Sequence, residues 1–186
     1  MGHIGDGVTV DPTAHVHESA YIYGKVTIGA ESSVWPQVVM RCETDEIRIG
    51  ERTNIQDFVM IHVGVRTPTI IGDDCSITHH STVHGATIGD RCLIGINATI
   101  MDGAVIGENS IVAGHSIVTE NTEFPPNSII AGVPAKVVAT RDMGAANAGN
   151  AEFYRLNAIN YAAGIERMSV EQMQAVKEAS RPKPQE

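Results

Sequence analysis

Three histidines, His62, His79 and His84, are the residues of this chain best suited to chemistry. Neutral imidazole is the commonest metal ligand among side chains. Three imidazoles on one zinc ion leave a fourth position open, and water bound there loses its proton near neutral pH. Such a site requires the three rings to converge, which depends on the scaffold that carries them.

That scaffold is legible as a repeat. An aliphatic residue recurs at every sixth position in four blocks: Val10, Val16, Ile22, Ile28, Val34, Met40; Ile49, Ile55, Ile61; Ile71, Ile77, Val83; and Ile88, Ile94, Ile100, Ile106, Val112, Val118, with the register continuing through Phe124 and Ile130. A short fixed period means a solenoid, because one unit cannot bury its apolar face alone and stacked neighbours build a continuous core. Glycine after many repeat positions, as in Ile28-Gly29 and Ile94-Gly95, predicts short strands joined by tight corners. Four places after the repeat positions come small residues, Ala14, Ala20, Ser32, Thr53, Cys75, Ser81, Cys92, Ala98, Ala104, Ser110 and Ser116. These slots are expected to face inward, with Cys75 and Cys92 as inert buried thiols. The register breaks three times, with extra residues between Met40 and Ile49 and between Ile61 and Ile71 and one missing between Val83 and Ile88. The first two breaks predict loops near 42–46 and 63–68, flanking the histidines, where insertions on a solenoid often mark the working surface.

Counted in hexads, Ile61 and Val83 are one full coil apart, so His62 and His84 stack on one face, with Arg41 one coil below His62. Adjacent strands lie about 4.8 Å apart, close enough for two imidazoles to share an ion. His79 follows Ile77 at a corner, and the strand between it and His84 spans about 16 Å at ~3.3 Å per residue. It cannot join its own chain's pair. A neighbouring copy packed corner against face could supply its His79, and a closed three-fold ring makes three such sites. The register therefore predicts a homotrimer. For His3, His15, His17, His80 and His115 a structural or surface role is expected.

The repeat, which covers residues 10–138, resembles the hexapeptide-repeat proteins, a likeness that implies a left-handed parallel β-helix of triangular section. General crossover chirality alone favours the right-handed form. Arg41, the run Asn54-Ile55-Gln56-Asp57, His62, and His79 with His84-Gly85 further resemble the γ-class carbonic anhydrase family. That resemblance implies zinc, or alternatively iron, held by His62, His79 and His84 between subunits, and reversible hydration of carbon dioxide to bicarbonate by a carbonate dehydratase. It also implies an Arg41–Asp57 pair between subunits, Gln56 orienting the bound water or bicarbonate, and Tyr154 of the segment Asn150–Tyr154 reaching toward the metal. One departure stands out: Thr44 occupies a place where the family carries a glutamate, and residues 63–68 contain no carboxylate. Proton export then falls to Glu43, Glu46 or buffer, which predicts weak or buffer-dependent turnover. The competing readings are an acyltransferase using coenzyme A with one histidine as base, and a scaffold that keeps the fold without turnover.

The formal charge of −9 argues against nucleic acid and anionic membrane surfaces as partners, and favours small molecules. No signal-like start and no long apolar run occurs, so a soluble cytoplasmic protein is expected. Residues 1–139 are expected to form the β-helix domain, introduced by a short lead-in and closed by the segment from Ala131 to Val137. Residues 140–186 are expected to be a linker over 140–150, a helix spaced by Phe153, Leu156, Ile159 and Ala163, a second helix near 170–179 capped by Ser169 and Gln172, and a disordered tail from Arg181.

Overall fold

A computed structural model describes residues 2–181. Among these residues, nineteen strands, most of two or three residues, coil into a left-handed parallel β-helix of about 7 turns closed by one antiparallel strand, followed by two helices, α1 (Gly144–Ala162) and α2 (Val170–Ala179). The strands lie on three faces. The first stacks Met60–His62, Thr82–His84, Thr99–Ile100 and Ile117–Val118 on the start of the long strand Val39–Ile49. The second stacks Thr69–Ile71, Thr87–Ile88, Val105–Ile106 and Glu123–Phe124 on the end of that same strand. The third runs from His15–Val16 through Asn54–Ile55 and Ser76–Ile77 to Ser128–Gly132, where Ala135–Thr140 returns antiparallel and closes the stack.

The hexad register holds. Ile22, Met40, Ile55, Ile61, Ile77, Val83, Ile94, Ile100, Val112, Val118 and Ile130 are wholly buried and form one continuous core, with Val10 and Val16 only partly covered at the open end. Alternation places these side chains inward and their neighbours outward. The small-residue slots are inward as expected, and their hydroxyls bond to backbone carbonyls of this or the next coil: Ser32 to Gly50, Thr53 to Gly72 and Ser81 to Thr78. Cys75 and Cys92 are buried free thiols.

Three expectations need revision. The lead-in is already part of the stack, since His3–Ile4 pairs with Tyr21–Ile22 and puts Ile4 in register six places before Val10. The insertion after Met40 makes no coil loop; Val39–Ile49 stays a strand, and residues 43–46 bulge opposite the single residue Lys25. The supposed linker over 140–150 is largely helix. Gly144, Asn147 and Asn150 are poor helix formers, but tertiary bonds override propensity: Asn147 donates to the carbonyls of Arg91 and Ser110, and Asn150 to the Ser76 hydroxyl. The buried face of α1 is accordingly small and polar, with Asn147, Ala151 and Ala158, whereas Ile159 and Ala163 are exposed. The second helix has the expected ends and the Ser169–Gln172 capping box. The tail expected to be disordered lies outside the described residues beyond Arg181. No helix among the described residues is long and apolar enough to cross a membrane.

Candidate metal centre

The first face carries an outward column, Tyr23, Arg41, His62 and His84, each paired in register with the next. His62 and His84 therefore stack as counted, with Nδ1 of His62 2.9 Å from Nε2 of His84. His79 sits apart, on the corner after Ser76–Ile77, in the two-residue turn whose second member, His80, adopts φ 60°. His80 is exposed and stacks flat on Phe58, with ring centroids 4.8 Å apart.

Each of the three histidines donates one ring nitrogen to a carboxylate. His62 Nε2 lies 2.8 Å from Glu43, His84 Nδ1 2.9 Å from Asp102, and His79 Nδ1 3.0 Å from Asp57. A carboxylate on one nitrogen fixes the ring and its tautomer and frees the other nitrogen's lone pair for a metal. His62 Nδ1, His84 Nε2 and His79 Nε2 are the nitrogens so freed. Two nitrogens on a tetrahedral zinc with bonds of about 2.0 Å stand roughly 3.3 Å apart, so a small ring rotation opens the 2.9 Å pair enough. Imidazole nitrogen suits zinc and iron alike, but among the described residues of one chain no three such donors converge, and His62 and His84 alone stand together.

Asp102 was not singled out in the sequence. It lies on the coil above Gly85, and two glycines make room for it: a Cβ at Gly64 or at Gly85 would collide with its Oδ1. Gly85 also takes φ +57°, which a side chain resists. Asp102 further accepts from the Thr67 hydroxyl at 3.1 Å, so one carboxylate holds both His84 and the turn after His62. The only sequence signal for it was the short spacing from Val83 to Ile88, which announces tight backbone beside His84.

The other sequence-derived residues fall as follows. Arg41 pairs with Glu43, and the His62 bond together with the Arg41 charge holds the Glu43 carboxyl below its ordinary range. Glu46 is turned away to Lys25 and Arg48. Asp57 stands under His79 as the ring's partner. Gln56 is 1% exposed beneath α1, its amide donating to Asn54 at 2.8 Å, so within one chain it does not reach the His62–His84 column. Tyr154, on α1, puts its hydroxyl 3.5 Å from His79 Nε2, and its ring packs edge-on against Trp35. Burial, helped by the Asp57 charge, raises the phenol's pKa above its ordinary value.

The family model for bacterial transferase hexapeptide (six repeats) matches residues 85–120. A probable carbonic anhydrase of Methanocaldococcus jannaschii is 55% identical over 129 residues, covering 69% of this chain and 81% of that one. Gamma carbonic anhydrase 2, mitochondrial, of Arabidopsis thaliana is 38% identical over 68% of this chain and 48% of its own length. Among solved structures, a hexapeptide transferase family protein from Anaplasma phagocytophilum aligns with a TM-score of 0.74 at 33% identity over 84% of this chain and 92% of that one. A hexapeptide-repeat acetyltransferase from Vibrio cholerae, complexed with acetyl coenzyme A, aligns over 61% of this chain and 69% of that one, with a TM-score of 0.52 at 26% identity. The fold and the histidine column define a hexapeptide-repeat β-helix protein. Within that class, the chain belongs to the γ-class carbonic anhydrase-like family.

Proposed function

We propose that the protein is a homotrimeric, zinc-type carbonic anhydrase, with iron as the alternative metal, that hydrates carbon dioxide reversibly. One metal is held at each interface by His62 and His84 of one chain and His79 of the next. The observation that carries this reading is the set of three histidines, each with one ring nitrogen bonded to its own carboxylate. Buried structural histidines do not need three independent acidic partners, whereas metal ligands regularly have them.

The solenoid supplies the symmetry argument. His79 precedes His84 by five residues of the same ascending coil, so its height along the axis falls between His62 and His84. Rotation about an axis parallel to the solenoid keeps heights, and brings the partner's corner to the level where the two lone pairs converge. The same five-residue offset relates Asp57 to His62, and Ile96 to Met101. Asp57 is thereby brought near Arg41 and His62 of the neighbour. Ile96, 48% exposed, is brought toward the neighbour's Met101. Apolar residues on both surfaces, Phe58 and Ile96 at the corner and Tyr21, Val39 and Ile117 on the face, suit burial against another copy.

A zinc ion there supplies Lewis acidity and a water of pKa about 7. The chain's own groups do the rest. Asp57, Asp102 and Glu43 keep the ligand rings aimed; Tyr154, with its hydroxyl 3.5 Å from His79 Nε2, is placed to orient substrate, and Gln56 joins it only once its amide leaves Asn54. With Glu43 held by Arg41 and His62, and Glu46 held by Lys25 and Arg48, the exported proton passes to buffer. An acyltransferase reading draws on the fold shared with the Vibrio cholerae acetyltransferase, but gives no role to three carboxylate-bound histidines. Stopped-flow carbon dioxide hydration by zinc-loaded protein in high imidazole separates the readings. Hydration is expected; full zinc occupancy without hydration returns the question to acyl transfer or scaffolding.

A further inference from the structure

The turn after His62 is held by hydrogen bonds yet presents an apolar tip. Gly64 N–H donates to the Thr67 carbonyl at 3.0 Å, the Thr44 hydroxyl donates to the Gly64 carbonyl at 3.1 Å, and the Thr67 hydroxyl is tied to Asp102. At its tip Val65 is 83% exposed, and the neighbouring Arg66 is exposed as well and makes no ion pair among the described residues. A valine held out to water on a pinned turn gains nothing in a lone chain, whereas burying it against apolar side chains is favourable.

The surface that matches it begins at His79. A groove of about 590 Å³ runs from Asp57 and His79 between the corner and the two helices, walled by Trp35, Tyr154, Tyr161, Met168 and Met173, with Glu166 and Arg167 at its rim. Glu166 is exposed, and no salt bridge engages it among the described residues. We propose that each groove receives the 63–68 turn of the neighbouring copy, with Val65 among the aromatic and thioether side chains and Arg66 beside Glu166. This rests on the trimer reading above, and reach supports it. Where the neighbour's His62 meets His79, Val65 lies three residues further on, within about 10 Å at ~3.3 Å per residue, and Tyr154 adjoins that same histidine. The turn then forms a wall of the partner's site, and Asp102 links that wall to His84 through its bonds to both. The helices become part of the catalytic interface, which the repeat itself does not require.

The test is disulfide trapping in the full-length, zinc-loaded protein, since Cys42, Cys75 and Cys92 are buried and leave a quiet background. Val65→Cys with Met173→Cys should yield covalent dimers and trimers on a non-reducing gel, and neither single variant should. In parallel, Arg66→Glu and Glu166→Arg should each weaken trimer association several-fold, with the double exchange restoring it. A trimer by sedimentation that neither cross-links nor shows rescue overturns the docking and leaves the trimer standing. A wild-type chain that sediments as a monomer overturns both.

Discussion

At the scale of single residues, the candidate centre is a set of rings whose orientation is fixed by acids. His62→Ala, His79→Ala and His84→Ala are each expected to abolish most metal binding, measured by metal content after dialysis, because three protein ligands leave no redundancy. His80→Ala should keep full occupancy, since that ring faces away and stacks on Phe58. Asp102→Asn should weaken zinc affinity by about 10- to 100-fold, as loss of a ligand's carboxylate partner typically does, which competition with a chromogenic chelator reads directly. The histidines were legible because a hexad count converts sequence distance into a shared column. Asp102 was not, because its role depends on the room left by Gly64 and Gly85, a fact of three-dimensional contact that no period announces.

Among the elements, the solenoid was legible from its period and the helix α1 was misread over its first turns. The repeat writes its own burial, one aliphatic residue inward per hexad, so position alone predicts the core. The start of α1 writes glycine, alanine and asparagine, which on propensity is a linker. It folds because Asn147 meets two carbonyls on the solenoid's third face. Asn147→Ala is therefore expected to cost about 1–3 kcal/mol of helix docking, seen as faster hydrogen exchange across α1 with the solenoid core unchanged. His15, beneath the same helix, gives a pH signature. Its Nε2 is buried without a partner, and burial, reinforced by the charge of His17, lowers its pKa. The unfolded chain then binds the proton more readily. The His15 contribution to stability is flat above about pH 6.5, falls as pH drops from there to the depressed folded value, and levels off below it. Thermal unfolding across that window should show the fall, and His15→Phe should flatten it.

For the whole molecule, one chain holds the column on a face and His79 at a corner, and in the proposed trimer assembly joins them. In that proposed trimer the shared height would pair Asp57 of one chain with Arg41 of the next, one coil down, so Asp57→Ala should loosen the trimer as well as its own histidine. A double-mutant cycle with Arg41→Ala, followed by sedimentation, reads that coupling. The central claim is the sharing of each metal between chains, and mixing tests it most directly. Protein carrying His79→Ala and protein carrying His62→Ala are each unfolded, combined in equal amounts, refolded with zinc and analysed for metal. If the site is shared around a closed ring, random assortment gives one intact interface in each mixed trimer, or about one quarter of a zinc per chain, where either variant alone holds essentially none. Mixed trimers that form and bind no more zinc than the separate variants would contradict the account.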